Sequence, residues 1–163
     1  MEQMLPIVAQ SDVLILATPV YVDGMTGPLK TFLDRLISLI KGRVELRNDH
    51  MRHLPRENKK KQILALVSPS GFAEMDNFEP LVTHVKAIAR NLDANYGEIL
   101  ASSFWFYRYD EDSYVNILET ISSAGEELVK NGRIPPYVSE TLKKYAPREK
   151  IIEAMNQYYG KYE

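Results

Sequence analysis

The stretch Asp12–Leu36, "DVLILATPVYVDGMTGPLKTFLDRL", decides how the rest of the chain is read. Its first part, "VLILA", is an apolar run of strand length. It alternates too little for a half-exposed strand, so it is expected to be buried on both faces of a parallel sheet. Pro19 ends the run by fixing φ and turning the chain away. Pro28 then stands near a first helical position, where its missing N–H costs nothing. Leu29, Phe32, Leu33, Leu36, Ile37 and Ile40 follow at helical spacing, with Lys30, Asp34, Arg35 and Lys41 on the other side. Gly42 is the expected stop.

Working outward, "EQMLPIVAQ" (residues 2–10) carries Met4, Leu5, Ile7 and Val8 at a spacing that suits the last turns of a packed helix. Residues 43–61 are polar and without clear period, and read as a connecting segment. "QILALVSPSG" (62–71) repeats the strand-and-turn design, and "NFEPLVTHVKAIARNLDANY" (77–96) is helical, with Leu81, Val85, Ile88, Ala89 and Leu92 along one side. "GEILASSFWFY" (97–107) reads as a third strand. "SYVNILETISSAGEELVKNG" (113–132) is a helix closed by Asn131–Gly132. The tail from Pro135 holds one or two short helices, with Pro147 able to start the second. Strand alternating with helix implies right-handed crossovers, hence an α/β chain with a parallel sheet of about three strands and helices on both faces. In such sheets ligands sit outside the carboxyl ends of the strands. Loops 18–27 and 68–78 fall on that edge and are treated as one site.

At 163 residues the chain is expected to form a single domain over residues 1–163. Lys+Arg 20 against Asp+Glu 22 gives a net charge of −2, so no electrostatic footprint for nucleic acid is present. The basic run Asn58–Lys61 reads as a solvated edge leading into a strand. No apolar run approaches the roughly 20 residues that span a bilayer, and the N-terminus lacks signal-peptide character. Membrane partners are therefore not expected, and a cytoplasmic location follows by default. Cysteine is absent, which removes thiolate catalysis, disulfides and cysteine-ligated metal clusters from consideration.

In the first loop, Tyr21 and Met25 offer flat and polarizable surfaces, and Gly24 and Gly27 allow close backbone approach. A planar heteroaromatic ring needs such a lining, with main-chain donors at its rim and apolar contact on its faces. A tight crossover loop whose Tyr21 and Met25 merely plug the sheet end has the same residue types, and both readings stay open. In the second loop Ser68 and Ser70 supply hydroxyls, Gly71 permits a turn, and Phe72 could cover an aromatic ligand. A helix-initiating Ser/Gly turn reads the same way. No Gly-x-Ser-x-Gly elbow or triad spacing is present.

The stretch from Ser11 to Leu36 resembles the strand, isoalloxazine loop and helix of the flavodoxin-like NAD(P)H-dependent FMN reductases. Within these it is most similar to the iron–sulfur flavoprotein branch. The resemblance runs through Thr18, Pro19, Val20, Tyr21, Met25, Leu29, Lys30, Phe32, Asp34 and Arg35. "SPSGF" with "NFEPL" is similar to the later flavin-side loop, and "AGEELVKNGRI" to the closing helix. The resemblance implies a flavodoxin-like fold, FMN as cofactor, NAD(P)H as donor, and electron transfer of the flavin or quinone reductase kind. Thr18, Pro19, Val20, Tyr21, Val22 and Met25 would line one side of the ring, and Ser70, Gly71 and Phe72 the other, with no catalytic side chain.

Family members begin with a strand, a phosphate-binding turn and a second strand, and the iron–sulfur branch adds a cysteine motif. None is found before Asp12, so the chain resembles the C-terminal two-thirds of the parent fold and is expected to carry no iron–sulfur cluster. Two expectations follow. Flavin affinity is reduced without the phosphate turn. The strand starting at Asp12 becomes a sheet edge, covered by a second copy of the chain in a homodimer or larger homo-oligomer. The competing function is a non-enzymatic oligomeric interaction module that has lost FMN. A further reading has an upstream segment supplying the missing strands.

Other constellations read as structural. His50 and His53 in "HMRH" could ligate a metal, but no third ligand is evident and the segment reads as a loop. His84 is expected to be partly buried in its helix. "FWFYRYDEDSY" is read as core aromatics and a polar turn, with Asp110, Glu111 and Asp112 as helix-start acids. Tyr145, Tyr158, Tyr159 and Tyr162 crowd the tail, which suggests docking onto another surface.

Overall fold

Three parallel strands carry the site. In a computed structural model that describes residues 2–56, 61–109, 111–143 and 147–162, helix α1 (Met4–Gln10) leads into β1 (Val13–Ala17). Helix α2 (Gly27–Arg35) follows, then a 3₁₀ turn over Leu36–Leu39. A hairpin comes next, β2 (Ile40–Arg47) and β3 (His50–Pro55). The chain continues through β4 (Ile63–Pro69), α3 (Glu79–Leu92), β5 (Asn95–Ala101) and α4 (Glu111–Asn131). It closes with α5 (Pro136–Lys143) and α6 (Arg148–Tyr159). Strands β1, β4 and β5 lie side by side in that order, all parallel, with Val13 opposite Ile63 and Ile63 opposite Asn95. With helices on both faces, this is a flavodoxin-like α/β arrangement.

The period-two alternation of a strand sorts the sheet residues between two cores. Leu16, Leu64, Leu66 and Leu100 face α2 and α3, where they pack with Phe78, Leu81, Val85 and Ala89. Val67 and Ile99 face the opposite side, against Tyr107, Ile117 and Ala124, and against Val138 and Leu142 of α5. Each such fully buried aliphatic side chain contributes about 1.5–3 kcal/mol relative to exposure. The edge position of β1 agrees with expectation, but burial on both its faces does not. Leu16 is buried, whereas Ile15 is 55% exposed. The second core lies over β4 and β5 and leaves β1 bare on that face.

Four further expectations are corrected. Helix α2 stops at Arg35 rather than running to Gly42. The chain becomes extended from Ile40, and Gly42 sits inside β2, where the hairpin register shifts between Ile40 and Val44. Such an irregularity tolerates the extra residue of a bulge. Residues 43–61 are not merely a connector: Arg47 pairs with His50 across Asn48 and Asp49, whose φ values of 52 and 59 make a two-residue hairpin turn. The third strand ends at Ala101, not Tyr107, because Ser103 at φ 51 turns the chain into a 3₁₀ segment over Phe104–Tyr109. His84 is exposed rather than partly buried.

The strand assignment also separates His50 from His53, since residues three apart in a strand point to opposite faces. Among the described residues no group of metal-ligating side chains assembles, and no helix is long and apolar enough to cross a membrane. Several element ends agree with expectation. Gly132 follows α4 at φ 68, Glu111 and Asp112 occupy its first turn, and Pro147 precedes α6. Lys61 is exposed just before β4. Asn58–Lys60, Asp110 and Tyr145 lie outside the described residues.

Candidate functional site

The first loop leaves β1 as a continuation of the sheet. Thr18 N–H donates to Val67 O and Val20 N–H to Pro69 O, both at 3.1 Å, so the bases of the two loops are joined by main-chain bonds. Thr18 is buried, and its hydroxyl accepts the Thr26 N–H at 3.1 Å while donating to Pro19 O at 3.0 Å. The loop between these threonines is thereby closed at its neck. At its tip Tyr21 and Gly24 exchange N–H···O bonds of 2.9 and 3.1 Å. The two residues between them, Val22 and Asp23, lie at φ 49 and 58. A β-branched residue seldom adopts that region. Val22 is 99% exposed and Tyr21 65%. Val20 and Met25 turn the other way and pack against the α2–α3 core with Leu29 and Leu33.

The second loop is held from β5. Ser70 N–H donates to Ala101 O at 3.1 Å. The Ser70 hydroxyl donates to Phe72 O at 2.9 Å, and the same carbonyl accepts Ser103 N–H at 3.1 Å. Trp105 Nε1–H reaches Gly71 O at 2.9 Å. These bonds fix the backbone of Gly71 and Phe72 while the Phe72 ring remains 57% exposed. Farther along, Glu74 pairs with Arg148 Nε at 2.9 Å, which ties the loop to α6.

Both loops thus stand on the carboxyl edge of the sheet, as topology demands. The structure divides their residues into two roles. Tyr21, Val22, Gly71 and Phe72 reach the surface; Thr18 and Ser70 are buried behind them, and Val20 and Met25 form part of the core. Pro19 is intermediate. The N–H groups of Val20, Tyr21, Gly24 and Thr26 are already used within the protein. Sequence reading missed Ser103 and Trp105, which position the second loop. Their signal was present in "ASSFW", where two serines interrupt an apolar strand before an indole donor.

A flat ring with polar edges fits this rim in one respect and not in another. Exposed Tyr21, Val22 and Phe72 supply apolar surface on the rim. No Lys or Arg lies within 18–27 or 68–78. Those loops therefore hold no cation for a phosphate, and Asp23 and Asp76 would oppose one.

Comparison with known families bears on the same segment. Residues 1–71 match the family model described as NADPH-dependent FMN reductase. No curated protein matches the chain. The FMN reductase match takes in the whole of the first loop and ends at Gly71, inside the second. Phe72, β5 and helices α3 to α6 lie beyond the matched span.

Proposed function

We propose that the chain is an FMN-dependent NAD(P)H oxidoreductase, with flavin held across the two loop tips. The observation that carries this reading is the FMN reductase match over residues 1–71, which covers the loop whose Tyr21 and Val22 stand exposed beside the Phe72 loop. The finer placement beside the iron–sulfur flavoproteins rests on the Thr18–Tyr21 and Leu29–Arg35 residues. When bound, FMN would supply the redox chemistry, accepting hydride from the nicotinamide and passing electrons onward. The protein's own part is binding and orientation. Tyr21, Val22 and Phe72 offer the contact surface. Thr18 and Ser70 hold the loop backbones in shape, with Pro19, Val20 and Met25 behind one tip and Gly71 giving close approach at the other. Because these loops supply no cation for the phosphate, the ring contacts dominate affinity and binding is weak.

Titrating FMN into purified protein and following its fluorescence tests this. Tyr21→Ala and Phe72→Ala should each weaken binding roughly five- to tenfold. Their folding stability should stay within about 0.5 kcal/mol, as for other exposed positions. NADH or NADPH should bleach the flavin bands of the loaded protein. A colourless protein that binds no added FMN would sink the reading.

One observation bears on a second reading, an oligomeric interaction module without flavin. Strand β1 has no neighbour on its outer side among the described residues, and Ile15 is bare on the face that α4 and α5 leave open. Unpaired N–H and C=O groups beside apolar side chains invite another chain. Self-association through this edge is compatible with either reading, and only the flavin titration separates them.

A further inference from the structure

At the opposite end of the sheet a cavity of about 430 Å³ opens between α2, α3 and the β2–β3 hairpin. It shares no lining residue with the two loops described above. Its volume is that of a small-molecule site, since such pockets run from about 300 to 1,000 Å³. The walls are aliphatic: Leu14 from β1, Leu33 and Ile37 from α2 and the turn after it, Ile40 from the hairpin, and Ile88 and Leu92 from α3. Gln62 helps close one side, its amide donating to Val8 O at 2.8 Å and Ser11 O at 2.7 Å. The hairpin is clasped over the opening by Arg47 Nη2 donating to Asn91 O at 3.2 Å and Arg56 N–H to Leu39 O at 2.9 Å.

Charge sits at the mouth. Lys30 is paired with Asp34 at 2.5 Å, which cancels both. Beside its bond to Asn91 O, Arg47 has a loose acidic partner in Glu45, at 3.9 Å. Lys61 has no acidic partner among the described residues, and Asp93 is the remaining acid in the lining. The imidazoles of His53 and His84 add further hydrogen-bonding groups. An aliphatic chamber with a surplus of cation at its rim matches a molecule with a hydrocarbon body and one negative end.

We propose that this cavity binds a small amphipathic monocarboxylate, its hydrocarbon against Leu33, Ile37 and Ile88 and its carboxylate near Lys61 and Arg47. The site is independent of the flavin reading, because no residue is shared.

Calorimetric titration with octanoate, octanol and octyltrimethylammonium tests it on the whole chain. Octanoate should bind best, the alcohol more weakly, and the cation not at all. Lys61→Glu and Ile37→Glu should each weaken octanoate roughly three- to tenfold. Both positions are exposed, and thermal melting checks that each variant is folded. FMN titration of the same variants should be unchanged, which keeps the two sites distinguishable. No octanoate binding up to about 10 mM would overturn the proposal. So would octanoate binding by both variants as tight as that of the parent chain, or binding of the cation as tightly as the acid.

Discussion

Thr18 and Thr26 stand at the two ends of the first loop, and the hydroxyl of one accepts the N–H of the other at 3.1 Å. This bond holds the loop neck closed while its tip stays exposed. Replacing Thr18 by Val keeps the shape but leaves the Thr26 N–H without its acceptor. We predict a loss of about 1–2 kcal/mol in urea unfolding. FMN affinity should fall with it, as the tip loses its fixed orientation. An unchanged unfolding midpoint would show that the neck does not need this bond.

Gly97 of β5 lies under Ile134. A Cβ at this position would stand 3.0 Å from Ile134 Cδ1 and 3.1 Å from Cγ1. Gly97→Val should therefore destabilise by about 1–3 kcal/mol through overpacking, despite the better strand propensity of valine. In an Ile134→Ala background the same change should cost less or become favourable. A cost that is equal in both backgrounds would locate the problem elsewhere.

Tyr96 donates its hydroxyl to Glu98 Oε2 at 2.7 Å, and Lys86 lies 3.8 Å from the same oxygen. Burial is the main cause, followed by the hydrogen bond to Glu98 and its negative charge, that pushes the phenol well above its ordinary value of 10.0. The folded chain thus keeps this proton where the unfolded chain loses it. The stability this provides is complete below about pH 10 and declines as pH rises further. Urea stability of the parent protein should fall more steeply above that pH than that of Tyr96→Phe. Parallel slopes would show that Tyr96 does not carry the linkage.

Ile15 is the apolar side chain that β1 leaves bare. Sedimentation at micromolar concentration should show the parent chain associated, and Ile15→Lys should shift it to monomer, because a charge on the open edge discourages pairing. A parent chain that is already monomeric under these conditions would refute the covered edge.

Much of this was legible in local pattern. The apolar runs "VLILA" and "ILALV", each ended by proline and followed by an amphipathic helix, determined the parallel pairing and put both loops on one rim, because right-handed crossovers allow little else. The hairpin was legible in part: Val44 and Leu46 alternate before Asn48–Asp49, but "SLIKG" continues a helical apolar period long enough to mask the switch to strand. Tertiary structure alone decided the rest. Ile15 and Leu16 are equally apolar, yet only one is buried, since that depends on where α4 and α5 pack. Thr18 looked like a contact residue and is a neck bond, because its partner lies across a loop whose shape the sequence did not state. The cavity behind α2 depends on α3, far along the chain, packing back beside α2 and the hairpin. Periodicity records which side chains avoid water; it does not record which element arrives to cover them.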